Sequence, residues 1–184
     1  MILVRTIYRY GLLVLSILLW GCSESSNLFC SLPANFTFDN IYQAPQLYAA
    51  CNSMGEFCTI RGENNRFLFS NTQGTTPINQ SALSHYSGFY LGLSGFIVGL
   101  PNIPEMGQDA SRVVCFDLAC ANCYQDYNVC KRMTLQEGGY ARCSSCQRLY
   151  DLNNLGIVAQ GQPGRTLYRY RVSYVGNSLI IRNR

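Results

Sequence analysis

Four cysteines in two pairs are the residues of this chain best placed to do chemistry. Cys120-Ala121-Asn122-Cys123 and Cys143-Ser144-Ser145-Cys146 are separated by nineteen residues. Two C-x-x-C knuckles at that separation can bring four sulfurs to one point. Deprotonated, those sulfurs suit Zn²⁺ or an iron centre, because soft thiolates fill a tetrahedral shell. The same four cysteines close disulfides instead if the chain meets an oxidising compartment. Spacing leaves both outcomes open. Elsewhere, Cys51 and Cys58 flank the Asn52-Ser53-Met54-Gly55 turn and form the best-placed local disulfide. Two buried free thiols are the alternative there.

Other chemistries lack their parts. His85 is the only histidine, so no site needing two histidines exists in one copy of the chain. In its polar surroundings it reads as a surface residue. There is no Ser-His-Asp set and no phosphate-cradling glycine motif, and Asp117, Asp126, Glu137 and Asp151 show no pairing that would support acid–base work. A redox C-x-x-C site would need a thioredoxin-like βαβ context, and none is visible. No independent catalytic activity is expected. The formal charge of +4 falls to +2 once Arg5 and Arg9 are set aside, which is too small and too dispersed for a nucleic-acid partner. Arg169 and Arg171 read as the wet face of a strand. Arg142 and Arg148 flank the second knuckle, where they either balance thiolate charge or stay solvated.

The knuckles must be carried somewhere, and the first residues read as an address. Arg5 and Arg9 precede an apolar run from Tyr10 to Trp20, the anatomy of a secretory signal over residues 1–21. Leu19-Trp20-Gly21-Cys22 resembles a bacterial lipobox, with Trp20 bulkier than the pattern has. That resemblance implies a lipidated Cys22, a polar tether over 22–33, and an extracytoplasmic protein anchored to the cell envelope, at the outer membrane. Its partners would be the membrane, through the lipid, and a redox or envelope protein. No Arg-Arg pair marks a route for folded, cofactor-loaded cargo.

Residues 34–184 read as one β domain. Phe36-Thr37-Phe38 alternates, Leu47 to Cys51 is a short helix or turn, and Glu56–Arg61 and Arg66–Ser70 form a hairpin about Gly62-Glu63-Asn64-Asn65. Asn71 to Ser84 is polar, holds Gly74 and Pro77, and reads as an exposed loop. Gly88 to Leu100 gives two short strands, the second buried. Arg112 to Asp117 is a strand running into the first knuckle, and Gly138-Gly139 is a turn that positions the second. A Gly161-Gln162-Pro163-Gly164 loop leads to a strand from Leu167 to Val172. There Tyr168, Tyr170, Val172 and Tyr174 alternate as a core-packed face, and a Gly176-Asn177 turn and the strand Leu179–Ile181 follow.

This order resembles a Rieske domain over roughly Arg112 to Arg184. That family carries a C-x-H box, a C-P-x-H box followed by G-x-x-F-D, a G-P loop and a terminal hairpin. Cys120 matches the first-box cysteine and Cys143 the second. Tyr150-Asp151 matches the F-D pair, Pro163 the loop proline, and Leu167, Tyr170 and Val172 the last strands. The chain looks closest to Bacteroidales lipoproteins with degenerate Rieske-like domains. The resemblance implies an antiparallel β-sandwich with a small cluster-binding subdomain at about 115–152, a [2Fe–2S] centre and electron transfer. The ligands depart from the family's two-cysteine, two-histidine set. Cys146 stands at the second-box histidine, and the first-box position is either Asn122 or, one residue later, Cys123. Four-cysteine ligation of [2Fe–2S], a structural zinc in an interaction module, and a disulfide-bonded domain without cofactor are the three readings. Asp151 is expected to be a structural hydrogen-bond acceptor.

Overall fold

The computed structural model describes residues 29–80, 88–103 and 112–183. Cys22, the apolar segment before it and His85 lie outside the described residues, and the signal and lipidation expectations lie there too.

Within them the chain is almost wholly β. Its strands are β1 (Ala34–Phe38), β2 (Phe57–Glu63), β3 (Arg66–Ser70), β4 (Thr75–Asn79), β5 (Tyr90–Leu91), β6 (Phe96–Gly99) and β7 (Val114–Asp117), followed by β8 (Thr134–Gln136), β9 (Tyr140–Arg142), β10 (Leu149–Asp151), β11 (Ile157–Gln160), β12 (Arg169–Val175) and β13 (Ser178–Arg182). Two short helices interrupt them, α1 (Pro45–Asn52) and α2 (Ala121–Tyr127). Nine strands form one sheet in the order β4-β3-β2-β6-β7-β12-β13-β1-β5, and four form a second in the order β11-β10-β9-β8. Every pairing is antiparallel.

The large sheet coils until strands far apart in its order face each other. Phe36 of β1 meets Phe67 of β3 edge-on at 5.1 Å, and Phe38 meets Phe69 at 4.8 Å. All four are buried, and burying each phenylalanine contributes about 1.5–3 kcal/mol. The strands β6 and β7 are covered on both faces. Phe96 and Val98 enter this first core, while Ile97, Val114 and Phe116 enter a second one beneath the small sheet. A strand buried on both sides reads as a continuous apolar run, which is why Phe96-Ile97-Val98 does not alternate. The second core also takes in Leu118, Met133, Ala141, Tyr150, Leu152 and Leu167. It is the floor on which the knuckles stand.

The turns follow their residues. Asn64 and Asn65 both take positive φ (51° and 59°) between paired Glu63 and Arg66, the conformation a two-residue hairpin asks of asparagine. Gly139, at φ 77°, lies so close to Asn153 and Phe57 that a Cβ there would collide with both.

Two expectations need correction. Part of the segment read as an exposed loop is β4, which pairs with β3 and includes Pro77 opposite Leu68. It is the edge of the sheet, where a missing N–H costs no ladder bond. Arg169 is not on a wet face. It is 6% exposed, between the rings of Phe29 and Phe116 at 5.7 and 5.6 Å. Its planar guanidinium can stack on aromatic faces, so alternation did not dictate its side. Arg171, two residues on, is exposed as expected.

Candidate metal centre

The two knuckles come from different layers. Strand β7 leaves the large sheet at Asp117, and Ala119 bridges Arg132 before Cys120 takes an extended conformation as the N-cap of α2. Cys123 sits in the first turn of that helix. The second knuckle is the tight connection between β9 and β10, where the N–H of Gln147 donates to the carbonyl of Cys143 at 2.9 Å. Gln147 closes it with φ at 61°, a left-handed conformation more often given to glycine. Antiparallel pairing of β9 with β10 in register, Tyr150 opposite Ala141, aims this turn at α2.

The sulfurs converge. Cys120 Sγ is 3.6 Å from Cys146 Sγ, and Cys123 Sγ is 3.7 Å from Cys143 Sγ. All four lie within 4.8 Å of one another. Four thiolates about 2.3 Å from one zinc stand about 3.8 Å apart along the edges of a tetrahedron. The donor set and its spacing therefore fit a single metal ion such as zinc or iron. Cys120, Cys123 and Cys143 are buried and Cys146 is partly exposed.

Around the sulfurs lies a polar shell. Asn122 Nδ2 donates to the Tyr150 hydroxyl at 2.7 Å and to the carbonyl of Arg165 at 3.0 Å, while Asn122 Oδ1 accepts the N–H of Arg165 at 2.9 Å. The Tyr150 hydroxyl contacts Cys120 Sγ at 3.1 Å. Desolvation pushes the Cys120 and Cys123 thiols up. At Cys146 desolvation is outweighed by hydrogen bonds from the backbone and side chain of Arg148 and from the neighbouring thiols, which lower it to about 7. Arg148 is thus the cation beside the cluster, and its Nε also donates to Gln162 O at 2.9 Å. Arg142 reaches the carbonyl of Gln147 at 3.4 Å. Nitrogen donors and a cation around thiolates offset the negative charge that a four-thiolate site retains.

Asn122 is spent on Tyr150 and Arg165, and Cys123 joins the sulfurs. Asp151 accepts the N–H of Asn153 at 3.0 Å, a structural role. Cys51 and Cys58 are both buried free thiols in the first core. Burial raises Cys51 to about 12 and pushes Cys58 up as well, with Cys51 adding to the latter. The Asn122–Tyr150–Arg165 network was not anticipated. Its signal was a tyrosine where the resembled pattern has phenylalanine, which adds a hydroxyl to a buried position.

A groove of about 290 Å³ lies apart from the cysteines, between the β8–β9 hairpin and the Gly55–Phe57 segment. Glu56 and Glu137 are its charged groups, and no cysteine lines it. Among the described residues no helix is long and apolar enough to cross a membrane. No family model, no curated protein and no solved structure matches the chain.

Proposed function

We propose that the chain is a metal-binding β domain whose four-cysteine centre holds one ion, zinc in the first place, and fastens the small sheet to the large one. The observation that carries this is the sulfur spacing, 3.6 and 3.7 Å across the knuckles with all four sulfurs inside 4.8 Å. A binuclear cluster interposes two irons between its ligand pairs and so holds them farther apart than one tetrahedral ion does. The arrangement is tighter than that, so a single ion fits and a [2Fe–2S] unit would have to spread the knuckles. Bound zinc supplies cross-linking energy without redox chemistry. The ligands come from the end of β7, from α2 and from the β9–β10 turn, so the ion adds a cross-link between segments that the second core and the Asn122–Tyr150 hydrogen bond also join.

The wider reading is a Rieske-like, lipid-anchored protein of the cell envelope. It is supported by the order of the motifs, by the small sheet bearing the second knuckle, and by terminal strands that pair with β1. Electron transfer through iron at the same four cysteines is the second reading. The partly exposed Cys146 and the hydrogen bonds to sulfur from Tyr150 and Arg148 favour it, since exposure and such bonds set the potential of an iron–thiolate centre.

The test is metal analysis with an absorption spectrum on protein beginning at Ser23, purified without oxygen. Zinc near one equivalent in colourless protein is the expected result. Iron with labile sulfide overturns the mononuclear reading, and iron without sulfide transfers the site to the electron-transfer one. Four free knuckle thiols in protein that takes up no added metal would sink both.

A further inference from the structure

Two thiol–thiol contacts cross between the knuckles, inside a cluster whose four sulfurs all lie within 4.8 Å of one another. Cys120 faces Cys146 and Cys123 faces Cys143, at 3.6 and 3.7 Å. Sequence spacing alone points the other way, to bonds within each C-x-x-C. Cys146 is also the one ligand that solvent reaches, the other three being buried. The geometry points to a thiol-oxidation site in which a hydroperoxide converts the four thiolates into two crossed disulfides, Cys120–Cys146 and Cys123–Cys143, and the metal leaves. The release of metal rests on the four-thiolate reading above; the connectivity does not.

The chemistry closes on named atoms. The exposed Cys146 thiolate attacks the peroxide O–O bond, giving a sulfenic acid and one hydroxide (alkoxide from an organic peroxide). Cys120 Sγ then attacks Cys146 Sγ, the S–S bond forms, and the sulfenic oxygen leaves as hydroxide. Each disulfide takes two electrons from two thiolates and reduces one peroxide. The ion keeps its charge and departs into water once its ligands are oxidised. A second peroxide serves Cys123 and Cys143, which loss of the metal leaves as free thiolates. Disulfide sulfurs stand about 2.0 Å apart, so the Cys120–Cys146 pair closes by about 1.6 Å.

Loop length gives the crossed pairs, once formed, the larger effect on stability. They span separations of 26 and 20 residues, against three within a knuckle, and the longer loop removes more freedom from the unfolded chain. Crossed disulfides also join the same two segments that the ion joined. The tip therefore keeps its fastening in either state, and oxidation exchanges an ion for covalent bonds.

Trypsin separates the alternatives. Cleavage after Arg112, Lys131, Arg142 and Arg148 puts Cys120 and Cys123 on the peptide 113–131 and Cys143 and Cys146 on 143–148. The exposed Cys130 and the buried Cys115 share the first peptide; Cys130 is removed as Cys130→Ser, and Cys115 is followed as an unoxidised thiol. Zinc is counted, hydrogen peroxide is added, released zinc is read with a chromophoric chelator, and the digest is mapped by mass spectrometry. The expected result is loss of the zinc together with one species joining 113–131 to 143–148, whose fragments pair 120 with 146 and 123 with 143. Two separate peptides, each with an internal disulfide, or sulfinic acids without disulfides, overturn the proposal. Protein that arrives without metal sinks the zinc reading, and its oxidation still reads the connectivity. Cys123→Ser with Cys143→Ser leaves only Cys120 and Cys146 of the four knuckle cysteines, so a cross-link there supports the pairing even where the metal no longer binds.

Discussion

The hydroxyl of Tyr150 stands 3.1 Å from the sulfur of Cys120. Its oxygen already accepts the amide of Asn122 at 2.7 Å, so its own proton is available to that sulfur. Burial and the neighbouring sulfur push the tyrosine up, so it stays protonated and serves as a donor. A neutral donor buried beside a thiolate disperses charge that no solvent reaches.

Tyr150→Phe removes that donor and leaves the fold's packing in place. Outer partners of metal ligands are worth about 10–100-fold in affinity, and a weakening of that order is expected in a competition titration against a zinc chelator. An unchanged affinity would show that the hydroxyl serves only Asn122.

Asn122→Ala strips three hydrogen bonds at once. The Arg165 N–H and carbonyl lose their partner, and the Tyr150 hydroxyl loses the donor whose bond it accepts while keeping Cys120. Leaving buried polar groups unpaired costs about 1–3 kcal/mol, and denaturant unfolding is expected to show a loss in that range. Gly164→Ala approaches the same network from the other side, because a Cβ there would collide with the Asn122 carboxamide. It is expected to be destabilised too, and stability equal to the parent in both variants would discount the network.

How much of this was legible in the sequence follows from which forces were local. Asn64-Asn65, Gly138-Gly139 and Gly176-Asn177 are turns because of their own backbone preferences, so the hairpins they close were readable. The knuckle cysteines were readable because their chemistry depends on residue type and spacing. Helix α2 was not, since Cys123, Tyr124 and Tyr127 are indifferent helix formers and the helix has seven residues. Strand β4 was hidden by Pro77, which forbids an inner strand and permits an edge one. The burial of Arg169 depends on Phe29, about 140 residues earlier in the chain, and no local pattern encodes that. The direction in which the sulfurs pair depends on how β9–β10 stands over α2, a tertiary fact.

Asp117 should make stability depend on pH. Its carboxyl is fully buried, and desolvation raises it above the ordinary range, in part offset by hydrogen bonds from the N–H of Leu93, the Tyr170 hydroxyl and the N–H of Ala119. The folded state thus holds the proton more tightly than the unfolded chain, where an aspartate titrates at about 3.9. Its stabilising contribution is complete below that unfolded value and is lost as pH rises through the folded one. Asp117→Asn cannot ionise and should lack this decline. Urea midpoints for parent and variant from about pH 4 to about pH 7 test it, and parallel profiles would contradict the assignment.

Gln147 holds a left-handed backbone (φ 61°) directly after the second knuckle. Such a conformation costs a non-glycine residue about 1–2 kcal/mol. Gln147→Gly relieves it but gives up the side-chain bond to the carbonyl of Ser144, so a net gain of about 0.5–1 kcal/mol is expected. Gln147→Val, β-branched, should lose stability and metal affinity together, because the turn sets where Cys143 and Cys146 point. Unfolding curves with and without zinc separate the two effects.

Metal removal should act unevenly on the two sheets. The small sheet is built from strands of three or four residues and shares its core with three of the four ligands. The large sheet has its own aromatic core around Phe36, Phe67 and Phe69, and none of the four ligands belongs to it. A chelator under reducing conditions therefore withdraws the fastening of one layer and leaves the packing of the other. Amide hydrogen exchange is expected to accelerate first in β8 to β11 and in α2, while β2, β3 and β6 keep most of their protection. In the crossed-disulfide state the same chelator, added without reductant, should change nothing, since covalent bonds have replaced the ion. Uniform loss of protection across both sheets would mean that the ion supports the whole domain and that the two cores do not unfold separately.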